Sequence, residues 1–434
     1  MMSTRRRQIA VVAVTGAAMS LTACGSGGEE STQQAAQVEQ FKEHGPITYV
    51  AGKDSTGTIQ GQIDVWNKDH PDEKVTFVEL PEDADAQRQQ MIQNAETQSG
   101  AFTVLSLDVV WTSEFAANQW VEPLPQSEFP MDDYLQPAVQ TGIYRGKMYA
   151  APWNSDGGML YYRTDLLEQA GIDGPPSTWA EMEADCAKVL KLPEAKGMSC
   201  YAGQFDKYEG LTVNFSEAVN AAGGTVTDEQ GNPHVDTPEA QKGLDTLVQG
   251  FESGTIPDEA LTFQEEEGRL AFQEGKLVFH RQWPYQYELA NATDGSSKVA
   301  GKFDVAPLPG ISSDQGVSSL GGHNMAISSY AKNKGTALDF IKYMSSEEQQ
   351  RKQLSLNSLA PTIESIYDDP AMVKKFPFLP TLQESIATAE PRPKFVEYGD
   401  ATAAIQEAAY GAISGDMSSD EALQQLQGQL SGMR

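Results

Sequence analysis

The sequence is 434 residues long, with 31 Lys and Arg against 61 Asp and Glu, a formal net charge of −30. That balance argues against nucleic acid and anionic lipid as charge-selected partners, because both recruit basic surfaces. A 39% hydrophobic content supplies a sizeable core, and a length beyond the ~100–200 residues of one typical domain predicts two lobes.

The chain opens on Arg5, Arg6 and Arg7, then runs apolar and small from Ile9 to Met19. That run is shorter than the ~20 residues a helix needs to span a bilayer. With Leu21-Thr22-Ala23-Cys24 directly after it, the arrangement predicts a secretory signal over residues 1–23. A Cys in that place resembles the bacterial lipobox, which implies cleavage before Cys24 and acylation of its thiol. Residues 24–45 are polar, small and Gln-rich, and read as the lipid anchor and a flexible tether. The expected location is outside the cytoplasm, held to the cell membrane through Cys24. Cys186 and Cys200 are left over, and in an oxidising compartment their natural pairing is a disulfide. The five His are scattered without ligand spacing, so neither a metal nor a cofactor is expected.

From residue 46 onward, strand and helix signals alternate. Ile47-Thr48-Tyr49-Val50-Ala51, ending at Gly52, predicts a buried first strand. Ile59, Ile63 and Trp66 mark a following helix that His70-Pro71 stops. Val75 to Leu80 is the next strand, and Ala101 to Trp111 holds another with Asp108 at its C-terminal end. Such alternation favours parallel sheets covered by helices. Thr178-Trp179-Ala180-Glu181 has the pattern of a capping box, and Met182, Cys186, Val189 and Leu190 then share one helical face. Thr237-Pro238 reads as an N-cap with Pro at N1. Leu244, Leu247, Val248 and Phe251 continue that helix, and Gly254 follows its end. The last quarter is expected to be mainly helical, broken at Pro361, Pro370, Pro377, Pro380, Pro391 and Pro393. The expected fold class is α/β, with two lobes joined by a hinge and a ligand cleft between them, beyond the carboxyl ends of the strands.

Three segments concentrate the residues that a sugar site needs: carboxylates and amides for hydroxyls, aromatic faces for the ring C–H groups. Leu107-Asp108-Val109-Val110-Trp111 puts a carboxylate and an indole at a strand end. Trp153-Asn154-Ser155-Asp156-Gly157-Gly158 puts an aromatic, an amide and a carboxylate in a Gly-rich turn. His280-Arg281-Gln282-Trp283-Pro284-Tyr285 sets two aromatics around a Pro in a polar loop. Each has a plainer reading: Trp111 as core, Asp108 as a cap of the next helix.

The chain resembles the family 1 extracellular solute-binding proteins of ATP-binding-cassette sugar importers, and is most similar to the trehalose/maltose-binding branch. The resemblance is carried by Asp108 to Trp111 with Trp120 to Leu124, by Tyr149 to Pro152 leading to Asp156 through Leu166, and by Lys207-Tyr208-Glu209-Gly210. It continues through Arg281 to Tyr285, Val305 to Pro309, Leu320-Gly321-Gly322 and Pro391-Arg392-Pro393. These occur in family order over nearly all of 46–434. The resemblance implies that Asp108 and Asp156 accept hydrogen bonds from sugar hydroxyls, that Trp283 and Tyr285 stack on sugar faces, and that Gly322 offers its amide. It further implies that Arg392 donates a fork of hydrogen bonds. Asp54 is the nearest match to an acidic residue expected after the first strand. Asn154 stands where that branch can carry an aromatic, and supplies an amide able to donate and accept; His323 and Asn324 also depart from the pattern.

The implied lobes are 46–154 with 312–361, and 155–311 with 362–434. The implied mechanism is hinge closure on a disaccharide, trehalose first and maltose-type next, by a monomer. The closed form would deliver it to the permease subunits of an importer driven by a cytoplasmic ATPase. Acidic lobe-surface residues would meet arginines of that permease. The same fold with an oligosaccharide, amino sugar or glycerophosphodiester is the alternative ligand class. A secreted glycoside hydrolase also needs two carboxylates and aromatics, but no hydrolase pattern accompanies Asp108 and Asp156, so no enzymatic activity is expected.

Overall fold

A computed structural model describes residues 41–433 except 55, 229 and 394. Cys24 and the signal segment lie outside the described residues. β1 (Ile47–Ala51) is buried along nearly all its length, as its continuous apolar run requires. It pairs in parallel with β2 (Val75–Glu79) and β3 (Val104–Asp108). The helices Thr58–Asp69 and Ala84–Glu96 make the crossovers, the first burying Ile63 and Trp66. β4 (Ile143–Tyr144) and β5 (Lys147–Met148) form a small hairpin. β6 (Ala150–Gly157) then leads straight into β7 (Met159–Tyr162), which lies in a different sheet with β8 (Ser199–Ala202), β9 (Leu277–Gln282) and β10 (Asp304–Ala306). β11 (Leu320–Ile327) brings the chain back. The first sheet has the order β2-β1-β3-β11-β6 and the second β10-β7-β9-β8.

The expected parallel sheets are mixed. β11 runs antiparallel to both β3 and β6, and β7 antiparallel to β9 and β10. The reason is the route of the chain: β6 leaves the first sheet at the cleft and β11 re-enters it from there. The carboxyl ends of β1, β3 and β6 therefore meet the amino end of β11 at one edge. Of the segment expected as a Gly-rich turn, Trp153 to Gly158, all but Gly158 is instead the end of strand β6. Passage between the sheets takes place at Gly157-Gly158-Met159.

Helix signals hold with adjustments. Thr178 Oγ1 accepts from the Glu181 amide at 3.2 Å, but the Glu181 carboxylate reaches the Ser177 amide (2.8 Å), one residue short of a closed capping box. Thr237 caps the helix Pro238–Glu252. Pro370 and Pro380 begin helices, Pro370–Lys375 and Leu379–Ala387, instead of breaking them. In the first turn the missing N–H has no partner to lose. Residues of the expected tether already engage the fold: Phe41 packs on the core, and the Gly45 amide donates to Thr336 Oγ1 at 3.0 Å.

Cys186, on the buried face of the helix Trp179–Val189, is bonded to Cys200 on β8, with Cα atoms 5.5 Å apart. Closing such a loop is worth ~3 kcal/mol in the chain-entropy model. Among the described residues no helix is long and apolar enough to cross a membrane.

Candidate functional site

At the edge where the two sheets face each other lies a cavity of about 290 Å³. Asp54, Asp108, Asn154, Asp156, Trp283, Tyr285, Gly322 and Arg392 all line it. Each reaches it by local logic. Asp54 follows β1; its Oδ1 accepts from the Thr58 amide (3.2 Å) and its Oδ2 from the Gln60 amide (3.1 Å). Both oxygens thus already serve the N-terminus of the helix Thr58–Asp69, which gives Asp54 a capping role. Asp108 ends β3, and its Oδ1 accepts from the Val110 amide at 3.1 Å. It does not cap the next helix, Thr112–Ala117, which has no side-chain cap.

Across the cavity Arg392 answers Asp108. Its Nη2 donates to Asp108 Oδ1 at 2.5 Å and its Nη1 to Asp108 Oδ2 at 3.1 Å. The same Nη1 donates to Glu209 Oε1 at 2.6 Å. Arg392 Nε is buried and has no hydrogen-bond partner among the described residues. Asp108 is therefore an ion-pair partner as well as a wall of the cavity. Glu209 starts the helix Glu209–Ala221 and is a site residue to which the Lys207-Tyr208-Glu209-Gly210 run by itself assigns no role.

Asn154 and Asp156 alternate along β6 and so face the same side. Asn154 Nδ2 donates to Asp156 Oδ2 at 2.9 Å. Asn154 Oδ1 and Asp156 Oδ1 are buried without partners among the described residues. Burial, helped by the charge of Asp108 and opposed by the Asn154 bond, pushes the Asp156 carboxyl up to about 7. His323, opposite Asp108 in the β11–β3 pairing, is driven down by desolvation.

Trp283 follows β9 and packs its ring against Arg281, whose Cζ lies 3.8 Å from the ring centroid. Arg281 is fixed in turn by Glu217, at 2.8 Å and 2.5 Å, and by Gln204 at 3.1 Å. The cation holds this ring in place, and the ring also lies close to Gly321, where a Cβ would fall 2.8 Å from it. Tyr285 Oη donates to Glu266 Oε1 at 2.8 Å. Trp111 satisfies both of its readings: its body is 1% exposed in the core, while it also lines the cavity with Nε1 unpartnered among the described residues. Gly322 sits at φ +107°, and a Cβ there would fall 2.3 Å from the Asn154 carbonyl oxygen. Only a glycine lets β11 pass so close to β6.

The rim is bridged as well. Gln264 Nε2 donates to Asp83 Oδ2 at 3.3 Å and Gln406 Nε2 to Asp85 Oδ2 at 3.0 Å, joining the start of the helix Ala84–Glu96 to the helices Glu265–Gln273 and Tyr398–Ile413. Away from the cavity, His44, Glu73 and Asp339 converge on the surface, where His44 and Glu73 already lie 3.3 Å apart.

Arranged this way, the cavity offers carboxylate and amide acceptors, guanidinium and indole donors, and an aromatic face, the set that hydroxyl-rich rings require. Known proteins match accordingly. A probable ABC transporter-binding protein of Deinococcus radiodurans is 32% identical over 86% of this chain and 89% of its own. A mannitol-binding protein of Pseudomonas aeruginosa is 27% identical over 83% of this chain and 86% of its own. The maltose-bound structure of MalE3 from T. maritima superposes with a TM-score of 0.85 at 30% identity, covering 89% of this chain and 99% of that one. The family model for bacterial extracellular solute-binding proteins matches residues 52–351, and the chain belongs to that family.

Proposed function

We propose that this protein captures a disaccharide, trehalose first and a maltose-type sugar next, between its two lobes and hands it to a permease on closure. The broader role is that of the sugar-binding component of an ABC importer, working outside the cytoplasm with permease and ATPase subunits; it binds and does not catalyse. Cys24 would anchor it to the membrane by acyl chains, each contributing ~0.8 kcal/mol per buried CH₂, and it would act as a monomer. The lobes would be the two sheet-centred halves, with boundaries near 154, 311 and 361.

One observation carries the disaccharide reading. The Trp283 platform shares a cavity with the unpartnered Asn154 Oδ1, Asp156 Oδ1, Trp111 Nε1 and Arg392 Nε. Two acceptors and two donors left unpaired beside an aromatic ring are the kinds of group that sugar hydroxyls can satisfy, and Tyr285 and Gly322 line the same cavity. The volume, about 290 Å³, is at the small end of ligand sites (roughly 300–1,000 Å³), which favours one or two rings over a longer chain. The same smallness favours a second reading, a monosaccharide or polyol, in line with the mannitol-binding relative.

A thermal-shift panel separates them, because a ligand that binds only the native state raises its stability. Trehalose, maltose, glucose, mannitol and maltotriose are compared, followed by calorimetric titration of the hits. Trehalose or maltose should give the largest rise. A larger rise with mannitol or glucose would replace the disaccharide reading with the second one.

A further inference from the structure

We propose that Glu209 is a positioning residue that holds the Arg392 guanidinium against Asp108 in the cleft, fixing the geometry of this part of the cavity wall for the ligand. This rests on the sugar-cleft reading. Glu209 starts a helix tied to the second sheet through the Arg281–Glu217 pair, whereas Asp108 ends a strand of the first. Arg392 is 2% exposed and bridges the two carboxylates. Glu209 is itself fixed from behind: Tyr398 Oη donates to Oε1 at 2.5 Å and Thr402 Oγ1 to Oε2 at 2.7 Å. Both oxygens of Glu209 already accept hydrogen bonds from the protein, two at Oε1 and one at Oε2. Glu209 also lines the cavity, and its strongest engagement there is with Arg392.

The charges around it explain why a carboxylate is needed there. Asp108 grips the guanidinium by both terminal nitrogens, at 2.5 Å through Nη2 and 3.1 Å through Nη1. Glu209 adds a shorter bond to Nη1, 2.6 Å, from the start of the helix Glu209–Ala221, so the fork is held from two separate elements instead of one. The ionisable groups that face Glu209 are Arg392, Asp108, Asp85 and Tyr398, with His323 beyond Asp108. Burial pushes the Glu209 carboxyl up to about 7 against the downward pull of Arg392. Acidification therefore protonates Glu209, weakens its hold on Arg392 and should weaken ligand binding.

The test uses the full-length protein and the variant Glu209→Gln, which keeps the shape and, with its amide oxygen in the Oε1 place, an acceptor for Tyr398, while its NH2 must donate to Thr402 Oγ1 instead of accepting; the charge is removed. Titration with trehalose and maltose at about pH 8.5 should show roughly tenfold weaker binding by the variant, the size of one charge-assisted hydrogen bond. At about pH 5 the two proteins should converge, because Glu209 is then neutral in both; titration of Asp156 is common to both and cancels. An equal gap at both pH values, or no gap, overturns the proposal. A ligand-free arm keeps it apart from the sugar assignment. In ¹⁵N-arginine-labelled protein the Arg392 Nη protons should exchange slowly and be resolved, and the Nη1 protons should exchange measurably faster in Glu209→Gln. Unchanged Arg392 signals overturn the proposal even if the sugars bind. If neither sugar binds wild type, the ligand assignment fails and this arm alone decides the role of Glu209.

Discussion

Replacing Asp108 with Ala tests how far the cavity depends on its charged pair. The carboxylate makes two bonds to Arg392, at 2.5 Å and 3.1 Å, and accepts a third from the Val110 amide. The variant leaves Arg392 buried with Glu209 as its remaining anion, so the charge is still compensated and the fold should persist. What is lost for the ligand is one wall of acceptors and the alignment of the guanidinium. A hydrogen bond to a charged group is worth ~1.5–3 kcal/mol, and at ~1.4 kcal/mol per decade this predicts binding weakened by about 10–100-fold. Calorimetric titration with the best sugar of the panel reads the loss directly. Circular dichroism melting of the ligand-free variant checks that folding is intact. An unchanged affinity in a folded variant would remove Asp108 from the site and leave the ion pair as a purely structural clamp.

Trp283→Ala should weaken sugar binding at least as much as Asp108→Ala, since it removes the stacking face and strips the cover from Arg281; equal affinities for wild type and variant by titration would refute the platform. For Asp156, the rise from the ordinary value of 3.8 to about 7 means that the folded protein holds a proton that the unfolded chain releases. Stability from this group is full below about pH 4 and is lost as pH rises through 7, by at most ~4 kcal/mol. Asp156→Asn should flatten that fall in denaturant titrations between about pH 5 and 8, and a parallel pH profile would count against it. Gly322→Ala should destabilise the protein and impair binding, because its Cβ would lie 2.3 Å from the Asn154 carbonyl oxygen in a left-handed backbone region. A melting midpoint and affinity equal to wild type would show that β11 can shift freely.

Local pattern made much of this molecule legible. β1, the helix after it, β2 and β3 were readable because apolar runs, a proline stop and strand-length alternation act within a few residues of one another. The direction of β11 was not, since antiparallel entry depends on where the chain returns after the whole second sheet. The segment around Asn154 and Asp156 was misread as a turn on account of Gly157 and Gly158. Its period of two, with both polar residues on one face, was the signal for a strand. Asp108 and Arg392 were each singled out, but not that they bind each other; partners 284 positions apart share no local pattern. Glu209 was missed for the same reason: its partners are Arg392, Tyr398 and Thr402, all far along the chain.

The glycine between β6 and β7 has a further consequence. A side chain at Gly158 would strike Arg281, its Cβ only 2.6 Å from Nη2, and it is this guanidinium that supports the Trp283 ring. The passage from β6 to β7 therefore runs directly against the support of the Trp283 ring. A side chain at Gly158 would displace Arg281 and with it the Trp283 ring, so a substitution at the crossover that never touches the cavity would still reset its aromatic wall.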